Sequence, residues 1–99
     1  MLDDVLKLPQ SLDVAALRAV QKDLLDRRGK ATTIDASDVE RIGGLGVELL
    51  IAARRQWLED AVVLQIIGVP DAMKEAFIDL GLDVATLDVR ETDMEQGKL

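Results

Sequence analysis

Three glycines within four residues, Gly43, Gly44 and Gly46, are the feature of this 99-residue chain most open to chemistry. They stand between a short β-branched segment and an apolar helical one. Backbone N–H groups at such a helix start can cradle an anion on the positive end of the helix dipole. The spacing fits no phosphate-binding motif: Leu49 stands where a third fingerprint glycine belongs, and no Lys is near the glycines. A tight turn with close packing explains them more simply. Asp35, Asp38 and Glu40 lie just before them, at the end of a predicted strand, where α/β proteins place ligands. Loop carboxylates are ordinarily solvated or act as caps, so no metal site is expected there. Arg54 and Arg55 read as a solvated helix end that an acidic partner would suit. Trp57 has the chemistry of an interface anchor, although the edge of the core is its simpler place.

The missing residue types narrow the chemistry further. The chain has no Cys, His or Tyr, and its only aromatic residues are Trp57 and Phe77. Disulfides, thiolate nucleophiles and thiolate metal sites are thereby excluded, and so is the commonest general base. Its two serines are Ser11 and Ser37, and no Ser, Thr, Tyr, Cys or His occurs between Asp38 and Ala85. No catalytic residue and no cofactor are expected. Twelve basic residues against nineteen acidic give a net charge of −7, the wrong sign for phosphate backbones or an anionic membrane surface. A protein partner is the remaining expectation, with no nucleic acid and no membrane, for a monomer or weak dimer. Apolar residues make up 48% and charged residues 31%, the balance of a globular domain. A chain of this length buries about 65% of its surface, enough for one modest core. No apolar run approaches the roughly 20 residues of a membrane span, and the first residues are acidic, so a cytoplasmic location is expected.

The elements that must position these residues follow from periodicity. Val5 to Leu8 alternates weakly and stops at Pro9, which suits an edge strand. Ser11 and Asp13 are both plausible N-caps for a helix over Val14 to Arg28, in which Leu17, Val20, Leu24 and Leu25 recur at helical spacing. Arg27 and Arg28 complement its C-terminus and Gly29 ends it. Ala31 to Asp35 reads as a strand and Ala36 to Gly44 as a loop. Leu45 to Leu58 reads as a helix whose first half is apolar nearly all round, hence buried on more than one face or covered by a partner. Ala61 to Ile67 is an apolar run ended by Gly68, the pattern of a central strand buried on both faces. Asp71 is expected to cap a third helix after Pro70, with Met73, Ala76, Phe77 and Leu80 on its core face and Gly81 closing it. Val84 to Leu87 suits a last short strand, and Asp88 to Leu99 a polar tail. The β-α-β-α-β-α-(β) order calls for crossover connections and a parallel sheet, an α/β fold with its single domain over residues 1–87.

The run from Ile34 to Leu50 (Ile-Asp-Ala-Ser-Asp-Val-Glu-Arg-Ile-Gly-Gly-Leu-Gly-Val-Glu-Leu-Leu) resembles the central motif of STAS domains, the family of bacterial anti-sigma-factor antagonists. That motif has a strand ending Asp-Leu-Ser-Gly-Val, then Asp-Ser-Ser-Gly-Leu-Gly opening a helix. Gly68-Val69-Pro70, with Phe77, Leu80 and Gly81-Leu82, is similar to the family's closing segment. The similarity spans Val5 to Leu87 and implies a STAS-like mixed, largely parallel β-sheet of about four strands packed by about three helices, with the family's extra N-terminal strand missing or truncated.

In the family, the first Ser of Asp-Ser-Ser-Gly is phosphorylated by a partner kinase that is also the anti-sigma factor, and the phosphate breaks the complex. Anchored on Gly-Leu-Gly, this chain has Arg41 at the motif's Asp and Ile42 at that Ser. Anchored on the strand, it has Gly43 and Gly44 there. Neither register leaves a hydroxyl at the phosphoacceptor. Ser37 matches the motif's strand-end Ser, ordinarily a turn or cap residue. The resemblance therefore implies a protein-interaction module without the usual switch. Its partner surface would comprise Asp38, Arg41, Ile42, Gly43, Gly44, Leu45, Gly46 and Glu48, and a bulky charge at Gly44 or Gly46 is expected to block binding without unfolding the chain. The partner implied is an anti-sigma factor or a histidine-kinase-type ATP-binding domain, since the chain is also similar to small STAS proteins of bacterial chemotaxis clusters. The alternative is a STAS domain that senses a nucleotide or other anion.

Overall fold

The computed structural model describes residues 4–87. Strand β1 (Asp4–Lys7) leads to a two-residue strand β2 (Ser11–Leu12) and helix α1 (Val14–Asp26). Strand β3 (Thr32–Asp35), the short strand β4 (Arg41–Ile42) and helix α2 (Gly44–Glu59) follow. Strand β5 (Leu64–Ile67), helix α3 (Asp71–Asp79) and a 3₁₀ turn (Val84–Leu87) complete it. The main sheet has the order β1-β3-β5 and the small one pairs β2 with β4; every pairing is parallel. The expected α/β fold with a largely parallel sheet and three helices is what forms.

Right-handed crossovers that step in one direction across a sheet lay their helices on the same face. α1 and α2 accordingly pack against each other and run parallel over the sheet. Strand alternation sends Leu6, Leu8, Ile34, Leu64 and Ile66 into the core beneath them, where they meet Val20, Leu24, Val47, Leu50 and Trp57. Met73 and Phe77 bring α3 onto the same core, and both are fully buried as their helical spacing predicts.

Several local expectations are corrected. The apolar run Ala61 to Ile67 is not a central strand: among the described residues β3 is central and β5 is an edge. Only Leu64–Ile67 is extended, alternating buried with half-buried positions, because the three residues before it turn the chain out of α2. Asp71 is the first residue of α3, with Pro70 at the N-cap and no side-chain cap, since an N-cap must stand outside the helix. Ser11 likewise does not cap α1; it pairs in β2, and Asp13 caps the helix by accepting from the Ala16 N–H at 2.9 Å. α1 ends at Asp26, two residues early, and Gly29 supplies the left-handed turn beyond it (φ 83°). Val84–Leu87 is a 3₁₀ turn, so no strand forms there. Leu80, expected on the core face of α3, is about half exposed, because it lies past the end of the helix as its C-cap. The tail expected over 88–99 lies outside the described residues.

Candidate functional site

The loop expected over Ala36 to Gly44 is clamped at its middle. Glu40 and Arg41 both donate their backbone N–H to the Gln10 carbonyl (2.7 and 3.1 Å), and the Gln10 amide donates to the Glu40 carboxylate at 2.8 Å. Arg41 and Ile42 then pair with Ser11 and Leu12. These bonds fix the entry to α2 against the segment that leads into α1. Nothing in the hydropathy of residues 10–12 signals this, because two-residue strands are too short to show a period.

The helix that follows starts open. Gly43 is the N-cap and offers no side chain to the first N–H groups; its carbonyl begins the helix by accepting from Val47 at 3.1 Å. Gly43, Gly44, Leu45 and Glu48 are exposed, as is Arg41 before them. A Cβ added at Gly43 or Gly44 would meet nothing within 4 Å. Gly46 differs in kind, and the expectation that a bulky charge there leaves the fold intact is corrected. Gly46 is buried, and a Cβ there would come within 2.7 Å of Ile42 Cγ1 and 3.7 Å of Leu12 Cβ. Gly46 lets α2 approach the β2–β4 pair, and Ile42 is half-buried against it, so these two shape the site from below while the exposed residues form its surface.

Asp38 lies at the other edge of the loop, exposed, with Lys7 Nζ 3.6 Å from its carboxylate and 3.4 Å from that of Asp35. Asp35 accepts from the Ser37 hydroxyl at 2.7 Å and the Ser37 N–H at 2.9 Å. Those two hydrogen bonds hold the Asp35 carboxyl below the ordinary carboxylate range, and Lys7 adds to them. Ser37 therefore serves a local turn, the role the strand-end Ser position implies. Among the described residues no cluster of His, Cys, Asp and Glu could hold a metal ion. A shallow cavity of about 540 Å³ opens beside Arg41 and Gly43, but Asp13, Glu40, Glu75 and Asp79 also line it. Four carboxylates oppose one guanidinium there, an unfavourable potential for a phosphate.

The remaining candidates are structural. Trp57 is 2% exposed and donates its indole N–H to the Lys30 carbonyl at 2.9 Å, which makes it core and not an interface anchor. Arg54 is not a solvated helix end: its guanidinium donates to the Leu87 and Leu64 carbonyls at 2.9 and 2.8 Å. Arg55 is exposed. Sequence reasoning missed the contribution of α1. Val14, Leu17 and Arg18 line a groove with Leu45, Glu48 and Leu49, so the start of α2 is one wall of a two-helix surface.

Fold and site together define a small parallel α/β domain with a glycine-opened helix start held by a clamped loop. A family model described as "Mlab, STAS domain" matches residues 3–91, and the chain belongs to the STAS domain family. STAS domains are regulatory protein-interaction modules, anti-sigma-factor antagonists among them, and are generally not enzymes. No curated protein matches the chain. No helix of the described residues is long and apolar enough to cross a membrane.

Proposed function

We propose that this chain is a STAS interaction module that binds a kinase-type regulatory partner without a phosphoserine switch. The partner is an anti-sigma factor kinase or a chemotaxis histidine kinase, met through its ATP-binding domain in the cytoplasm. The observation that carries the reading is the open, uncapped start of α2, where Gly43, Gly44, Leu45 and Glu48 stand exposed beside Arg41. Asp38 flanks this surface, while Ile42 and Gly46 support it from beneath.

The helix begins at Gly44, so Gly44-Leu45-Gly46 opens it as the family motif's Gly-Leu-Gly does. That favours the register with Ile42 at the phosphoacceptor. In both registers the position lacks a hydroxyl. A dianion at a helix start inside a tight contact is what breaks the family's complexes, and this chain has no side chain there to carry one. Binding is then governed by the partner's own state or concentration.

The test is affinity capture from native lysate with wild type and Gly44→Glu, read by mass spectrometry, with a thermal melt of both. A kinase of one of the two types should be captured by wild type and lost with Gly44→Glu, whose melt should match wild type because the added side chain meets open space. A kinase retained equally by both proteins would move the surface elsewhere. Ser37→Ala and Ser37→Asp should bind like wild type; loss of binding by Ser37→Asp alone would restore a phosphoswitch.

A further inference from the structure

A groove runs between α1 and α2, with Gln21 and Leu49 at its middle, where they belong to both of its halves. Three of the chain's exposed large apolar side chains border it: Val14 (59% exposed) and Leu45 (63%) at one end, Leu25 (61%) at the other. Exposed apolar residues scattered singly need no explanation, but three along one seam form a patch that water penalises. The groove also carries opposite charges on opposite walls, Arg18 on α1 and Glu48 on α2. Neither makes an ion pair among the described residues.

We propose that this groove is the contact of a homodimer and that its occupant is the same α1–α2 face of a second copy. A surface that carries its own complement, positive on one wall and negative on the other, fits a two-fold interface, in which each contact occurs twice. The spacing agrees. Leu17 lies four residues before Gln21 on α1, and Leu45 four residues before Leu49 on α2, equal offsets of about 6 Å in the same direction. Because α1 and α2 run parallel, a two-fold axis lying along the groove lays α1 of one copy on α2 of the other, in the same direction and at the same level. Leu45 of each copy then meets Leu17 of its mate, and Leu25 covers Ala52. The same rotation brings Arg18 to within about 3 Å of the level of Glu48 of the mate, within reach of its guanidinium. The face is about 20 Å long and two helix diameters wide, the low end for specific interfaces, so the dimer is concentration-dependent. Leu45 and Glu48 border both this groove and the start of α2, so self-association and partner binding exclude one another.

Sedimentation velocity on the full chain over a concentration series tests this. Wild type should pass from monomer to dimer. Arg18→Glu and Glu48→Arg should each weaken the dimer by about tenfold or more, and the double swap should return it to within about threefold of wild type. Leu25→Asp should leave a monomer. The proposal falls if wild type stays monomeric throughout, if the single swaps leave the dissociation constant unchanged, or if the double swap fails to restore it.

Discussion

The two ends of α2 are built on opposite principles. At its C-terminal end three side chains tie the helix into the fold. Arg54 bridges the Leu64 and Leu87 carbonyls, joining β5 to the 3₁₀ turn, and Trp57 reaches across to Lys30. Arg28 makes a bidentate contact with Asp60 (3.1 and 3.2 Å), which holds that carboxyl below its ordinary range. The helix then closes on itself: the Val62 N–H returns to the Trp57 carbonyl and the Ala61 N–H to that of Leu58. At its N-terminal end Gly46 and Val47 are buried, but the outer face is held only through the backbone of the loop beneath. No side chain caps the helix, two glycines face open space, and Leu45 stands in water. One helix thus carries the fold at one end and offers itself at the other. Residues of the anchored end should matter for stability and hardly for binding, and residues of the open end the reverse.

The largest expected effect sharpens that contrast. Trp57→Ala empties a fully buried site and strands the Lys30 carbonyl, which should cost about 3–5 kcal/mol. That is a large part of the 5–15 kcal/mol typical of a whole domain. Leu45→Ala, at the exposed end, should change stability by about 0.5 kcal/mol or less. Urea titrations of both variants measure the difference, and equal midpoints would break the comparison. A second contrast lies within the open end itself. Gly46→Ala drives a methyl against Ile42 and should destabilise by about 1–3 kcal/mol. Gly44→Ala meets no atom and should be neutral or stabilising by up to about 1 kcal/mol, because alanine favours helix over glycine. If the two variants melt alike, the line drawn between supporting and exposed glycines is wrong.

The smallest effect tests the anchored end for residual strain. Ala61 closes α2 in the left-handed region at φ 57°, a role that glycine fills at the end of α3, where Gly81 has φ 77°. A left-handed alanine costs about 1–2 kcal/mol, partly offset by the freedom glycine gains in the unfolded chain. Ala61→Gly should therefore raise stability by about 0.5–1 kcal/mol, read as a rise in melting temperature. A fall would mean that the turn is less strained than its dihedral indicates.

Much of this was legible in the sequence because it rests on local physics. The periodicities of Leu17, Val20 and Leu24 and of Met73, Ala76 and Phe77 define helices whatever lies around them, and the apolar β-branched segments between them demand a parallel sheet. The glycine run opening α2, and the lack of a hydroxyl beside it, likewise belong to the chain alone. What the sequence could not carry were choices made across the fold. The two-residue pairing of β2 with β4 has no period of its own and forms beside the Gln10 carbonyl, which accepts from the loop. Arg54 and Arg55 are indistinguishable in sequence, yet the helix surface turns one toward two carbonyls and the other to water. Gly44 and Gly46 are equally interchangeable on paper, and only the approach of Ile42 and Leu12 makes one a support and the other a surface. Which strand is central is likewise a matter of tertiary order: the same apolar run that promised burial on both faces is an edge among the described residues, because hydropathy measures a segment's preference for leaving water and not the neighbours available to receive it.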